Sequence, residues 1–177
     1  SPREIAHHRL GEDRATAESL IGDARAMLEE IRSFILERHI VSIPSEVRCA
    51  VTETPAFMRW AFAAMDMPGA LETVATEAFY YVTPVEPDWT PEQATQWLTD
   101  MNYPKLRIIS VHEAYPGHYV QLEYSNRTRS LIRRVLQSGV FIEGWAVYTE
   151  QTMLDQGYGD GDLRLRLMQL KFYLRAV

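Results

Sequence analysis

Apolar positions recur at helical spacing over residues 14–37. Leu20, Ile21, Ala24, Leu28, Ile31, Phe34 and Ile35 fall on one face, with charged residues opposite. This pattern predicts a long amphipathic helix, broken by Ile43-Pro44-Ser45. Two shorter segments have a different period. Val47, Cys49 and Val51 alternate with polar or small neighbours, and residues 78–83 are rich in aromatic and β-branched types and stop at Pro84. Both predict strands. Between them, residues 57–65 fit either a short helix or an aromatic-rich loop.

The second half reads as helices. Thr90-Pro91-Glu92-Gln93 places Thr as N-cap, Pro at the first helical position and Gln at the capping-box position, predicting a helix to about Asp100. Another begins near Asn102-Tyr103-Pro104. Further helices are predicted at about 127–138, 140–155 and 161–177, with Gly157 and Gly159 marking the turn before the last. The last pattern reaches Val177 without a Gly, Asn or Pro stop. The expectation is a single domain over 1–177 that is a piece of a larger fold, mainly α with a minor β-sheet (α+β).

Composition narrows the function. A chain of 177 residues, 46% hydrophobic and 24% charged, is long enough for one core and ordinary for a soluble globular protein. A formal net charge of -6 argues against a nucleic-acid binder, which needs a basic face to neutralise phosphates. No apolar run reaches about 18 residues, so membrane insertion by a helix is not expected. Cys49 is the single cysteine, which excludes an internal disulfide and a cysteine-based zinc site. The N-terminus has no apolar signal stretch and does not begin with Met. Cytoplasm and export after signal removal both stay open.

The chemistry concentrates in His112-Glu113-Ala114-Tyr115-Pro116-Gly117-His118. Zinc peptidases place H-E-x-x-H on a helix, where the i, i+4 spacing brings two imidazoles to one face and the Glu serves the water. Here the histidines are six apart. On a continuous helix six residues advance about 600°, leaving the two side chains about 120° apart. Pro116 lacks the N–H that would bond back to His112, and Gly117 permits unusual backbone angles. A break at Pro116-Gly117 is therefore expected to return His118 to a shared Zn2+. A third ligand is needed, and Glu143 in the following FIEGWAVYTE segment is the first choice. Glu150, two turns further on, is an alternative ligand or a partner for an imidazole N–H. Glu123 and Gln121 are further supporting candidates.

HEAYPGH followed by Gln121, and then Glu143-Gly144-Trp145-Ala146 with Tyr148 and Glu150, resembles a large bacterial family of metallopeptidase-like proteins long filed as a domain of unknown function. Its hallmark is an HExxPGH segment followed by an EGWA-type segment. Gly157-Tyr158-Gly159-Asp160, residues 79–84 and the long first helix extend the resemblance over most of the chain. It implies a multi-helical gluzincin-like metallopeptidase domain, with His112, His118 and Glu143 as zinc ligands and Glu113 as general base. By the same analogy, the strand at 79–83 would bind substrate backbone. Family members continue past Val177, where groups that stabilise an oxyanion would lie.

The plainer readings are ordinary partly buried histidines and, for Glu143, an acid favoured by a helix N-terminus. His7, His8 and His39 read as surface residues, and Cys49 as a small buried hydrophobe. The leading expectation is a zinc-dependent hydrolase of peptide or related amide bonds. The alternatives are a metal-dependent hydrolase of another acyl substrate, or a non-catalytic helical domain or inactive fragment that keeps the motif.

Overall fold

The computed structural model describes residues 9–74 and 76–176; His7 and His8 lie outside the described residues. In chain order the elements are α1 (Leu20–Arg38), β1 (Ala50–Glu53), a 3-10 turn (Ala56–Met58), β2 (Ala63–Asp66), β3 (Phe79–Val82), α2 (Pro91–Asp100), α3 (Tyr103–Glu113), α4 (His118–Arg127), α5 (Leu131–Val135), α6 (Gly139–Asp155) and α7 (Leu163–Ala176). The fold is mainly α with a minor β-sheet, as the patterns predict.

The apolar stripe of α1 forms one wall of the core. Leu20, Ala24, Leu28, Ile31 and Ile35 are buried on it. The helix starts later than residue 14 because Thr16 and Ser19 satisfy each other's backbone locally. Thr16 N donates to Ser19 Oγ at 3.0 Å and Ser19 N to Thr16 Oγ1 at 3.1 Å. His39 closes the helix with a left-handed φ of 52° and is exposed, as expected.

The three-stranded sheet has the order β1-β3-β2. β1 pairs parallel with β3, Ala50 opposite Phe79, and β2 pairs antiparallel, Met65 opposite Tyr80. β3 is therefore central, with both edges used. Tyr80 and Val82 are fully buried on it, and Tyr80 Oη lies 3.0 Å from Ser110 Oγ on α3. Val47 lies outside β1 and is exposed. Pairing with β3 begins only at Ala50, whose N–H bonds to Ala78 O, so Val47 has no strand opposite it. Cys49 is buried, as expected, and burial pushes its thiol up to about 12.

α3 is the axis of the molecule. Asn102 caps it by accepting from Lys105 N, and Leu106, Ile108, Ile109, Ser110 and Val111 are all buried on it. A helix buried on several faces needs its neighbours. α1, β2, α6 and α7 surround α3. α2 leads into it through the capping box expected at Thr90 and Gln93. Lys105 is buried with its charge answered twice: Nζ is 2.7 Å from Asp100 and 3.5 Å from the Phe62 ring centre. α3 carries His112 and Glu113 at its C-terminal end, which places the motif at the meeting point of the sheet and the helices.

Candidate metal centre

The motif is not one helix. α3 stops at Glu113, Ala114 caps it, and α4 begins at His118. The Tyr115-Pro116 peptide between them is cis. Gly117 makes the turn possible. A Cβ there would sit 1.7 Å from the carbonyl oxygen of His112 and 2.5 Å from that of Val111, so only glycine fits. Its own N–H bonds to Val111 O at 3.1 Å. Trp145 on α6 holds the outside of the break by donating Nε1–H to Pro116 O at 2.9 Å.

The break brings the two histidines together. Their ring centres are 4.7 Å apart and nearly perpendicular, at 86°. His112, Glu113 and His118 each offer a ligand atom within 4.8 Å of the others. Glu143 completes the group from α6. His112 Nε2 is 3.4 Å from Glu143 Oε2, and His118 Nε2 is 3.7 Å from Glu143 Oε1. These contacts are longer than ordinary N–H···O bonds of about 2.7–3.2 Å. The first falls within, and the second just beyond, the spacing of neighbouring ligands of one tetrahedral zinc, which stand about 3.3–3.6 Å apart when each is about 2.0–2.2 Å from the ion. His112, His118 and Glu143 are thus a donor set that fits a divalent cation.

Glu150 takes the other end of His112. It is fully buried on α6, and its Oε1 lies 2.7 Å from His112 Nδ1. Glu143 and Glu150 are seven residues apart, so one face of α6 addresses both nitrogens of one imidazole. A buried carboxylate on Nδ1 favours the proton there and leaves Nε2 free to bind a metal. Of the remaining supporting candidates, Glu123 instead accepts from Ser45 Oγ at 2.6 Å. Gln121 follows His118 by one turn of α4.

Glu113 points to the sheet. Its Oε2 accepts from Met65 N at 2.9 Å. That bond fixes the carboxylate near the two imidazoles. β2 lies at the end of a segment whose pattern fits a short helix or a loop, not a strand. Ala-Ala-Met-Asp has little strand propensity, and β2 exists because it pairs with β3. The strand at 79–83 cannot supply a free edge, because both its edges are hydrogen-bonded. Among the described residues, the edge beside the site that no strand covers belongs to β2, with its Met65 N–H given to Glu113.

The electrostatics follow from burial. Burial is the main reason that the Glu113 carboxyl is raised to about 7, with the His112 charge and the Met65 N–H opposing it. Burial also lowers His118 to about 4, helped by the charge of His112. For His112, burial pulls downward but the bond to Glu150 and the three nearby carboxylates win, so its value is raised. The Glu113 shift has a stability cost with a defined sign. The folded state prefers the protonated form, so the cost is absent below pH 4.5 and complete above about pH 7. Glu113→Gln is therefore expected to stabilise the metal-free chain by about 1–3 kcal/mol at mildly alkaline pH and hardly at all near pH 4. Thermal melts at the two pH values check this, and equal effects at both would contradict it.

Fold and site together define a mainly helical protein in which two histidines and three carboxylates meet where a broken helix crosses a small mixed sheet. The chain belongs to the DUF885 family, described as bacterial protein of unknown function, whose model matches residues 3–177. Among solved structures it is similar to a proposed lipoprotein of unknown function from Shewanella oneidensis. The two share 33% identity with a TM-score of 0.84, over 98% of this chain and 30% of that one. A proposed lipoprotein from Colwellia psychrerythraea has the same fold at 19% identity and a TM-score of 0.69, over 89% of this chain and 25% of that one. The chain thus spans 30% or less of the length of these two structures. No curated protein matches it. No helix among the described residues is long and apolar enough to cross a membrane.

Proposed function

We propose that His112, His118 and Glu143 hold a zinc ion, and that the protein is a zinc-dependent hydrolase of peptide or related amide bonds with Glu113 as general base. The observation that carries this reading is the pair of imidazole Nε2 atoms facing the two oxygens of one carboxylate, at 3.4 and 3.7 Å. A zinc ion at that point supplies Lewis-acid polarisation of a carbonyl and acidifies water. The chain's own residues do the rest. Glu113, held by Met65 N–H, would accept the proton of the attacking water and pass it to the leaving amine. Glu150 orients His112 and keeps its proton on Nδ1.

The free edge of β2 is suited to hold a substrate backbone. Met65 N faces outward, since it reaches Glu113, and Ala63, two residues earlier, faces the same way. A peptide laid along this edge passes directly beside the base. Glu143 is 66% exposed, so the site is open to a substrate from its side. The lipoprotein description of the Shewanella oneidensis relative supports an exported setting for this protein.

The test is turnover by the zinc-loaded full-length protein against matched peptide and ester panels. Amide cleavage that a chelator removes and zinc restores is the expected result. Cleavage of esters alone would favour another acyl substrate. Stoichiometric zinc with no cleavage of either would rule out the hydrolase reading. Glu150→Gln, which keeps the shape but removes the charge on His112, is expected to weaken zinc binding about 10–100-fold in a competition titration. Unchanged affinity would show that Glu150 only fills space.

A further inference from the structure

The two histidines are not equally supported. His112 has Glu150 on its Nδ1, whereas the Nδ1 of His118 is buried without a hydrogen-bond partner. His118 is only 8% exposed, so bulk water does not reach that nitrogen. One turn further along α4, the side-chain oxygen of Gln121 is also buried and unpartnered. The two unmet atoms lie three residues apart on one helix, and a buried polar atom without a partner costs about 1–3 kcal/mol. Positions i and i+3 share a face, and helical side chains lean toward the N-terminus, so Gln121 leans over the turn that begins at His118. The residue at i+4 is Leu122, which offers no acceptor.

We propose that Gln121 is the positioning residue of His118: the two atoms are not bonded in the present side-chain rotamers, and a turn of the Gln121 side chain lets its Oε1 accept the Nδ1–H of His118 and thereby leaves Nε2 as the lone pair that faces Glu143. The site then has two matched supports, Glu150 from α6 for His112 and Gln121 from within α4 for His118. A neutral amide on one imidazole and a carboxylate on the other keeps the added negative charge at the buried site to one. The proposal rests on the zinc reading for its purpose but not for its test.

The tautomer of His118 is measured first, by nitrogen-15 NMR of the metal-free chain at alkaline pH, with His118→Asn used to assign the signal. The expected result is a proton on Nδ1. Gln121→Leu should lose that preference and bind zinc about 10–100-fold more weakly. Gln121→Glu, which keeps an acceptor, should restore both. A proton on Nε2 in the unaltered chain overturns the proposal whether or not any variant folds. So does Gln121→Leu with tautomer and zinc affinity both unchanged. A Gln121-dependent Nδ1 proton in a chain that binds no zinc upholds the positioning role and defeats the metal reading instead.

Discussion

Gly117→Ala is expected to abolish zinc binding and to lower the melting temperature by about 6–12 °C, the shift for a loss of roughly 3 kcal/mol in a chain of this size. The methyl group would stand 1.7 Å from one backbone oxygen and 2.5 Å from another. Backbone atoms cannot rotate aside as a side chain can, so the cost lies at or above the top of the usual 1–3 kcal/mol for overpacking. The strain falls between His112 and His118. Relieving it moves α4 against α3, separating two imidazoles that the break holds 4.7 Å apart. A displacement of about 1 Å is enough to lose a preorganised metal site. Calorimetric zinc titration and a thermal melt on the same preparation check both parts. Normal zinc affinity in Gly117→Ala would mean that the break is not what assembles the site.

Glu113→Gln is the second large effect, and in the zinc-loaded protein it acts on turnover rather than on metal binding. Glutamine still accepts from Met65 N–H and has nearly the same shape, so zinc binding is expected to stay within a few-fold of the original. Turnover is expected to fall about 10²–10⁴-fold, because an amide cannot take the proton of water. Glu143→Ala is the matched contrast, expected to lose the metal and the activity together. If Glu113→Gln cleaves substrate at the original rate, another group is the base. If it loses zinc, Glu113 is a ligand and the roles of the two glutamates must be exchanged.

Much of this site is legible in the residues. Pro116 and Gly117 forbid a continuous helix between the histidines, and the break at Ala114–Gly117 is what their chemistry requires. The seven-residue interval from Glu143 to Glu150 places both acids on one face of α6, and His112 receives both. The capping signals at Thr90 and Asn102 set the start of two helices within a residue. Tertiary pairing is what local pattern does not carry. Ala63–Asp66 becomes a strand only because β3 has a second edge to fill, so the wall beside Glu113 was not predictable from its own residues. For the same reason the aromatic strand at 79–83, the more convincing strand in the sequence, is the central one and has no edge to offer. Trp145 appears in the sequence only as part of the EGWA segment, and its bond to Pro116 appears only once α6 lies against the break.

The most direct test of the zinc site is a crystal structure of the protein grown with zinc, using anomalous scattering at the metal edge. One zinc is expected, with His112 Nε2, His118 Nε2 and a Glu143 carboxylate oxygen each about 2.0–2.2 Å away and Glu113 beside but not on the ion. An empty site at saturating zinc, or an ion held without Glu143, would contradict it.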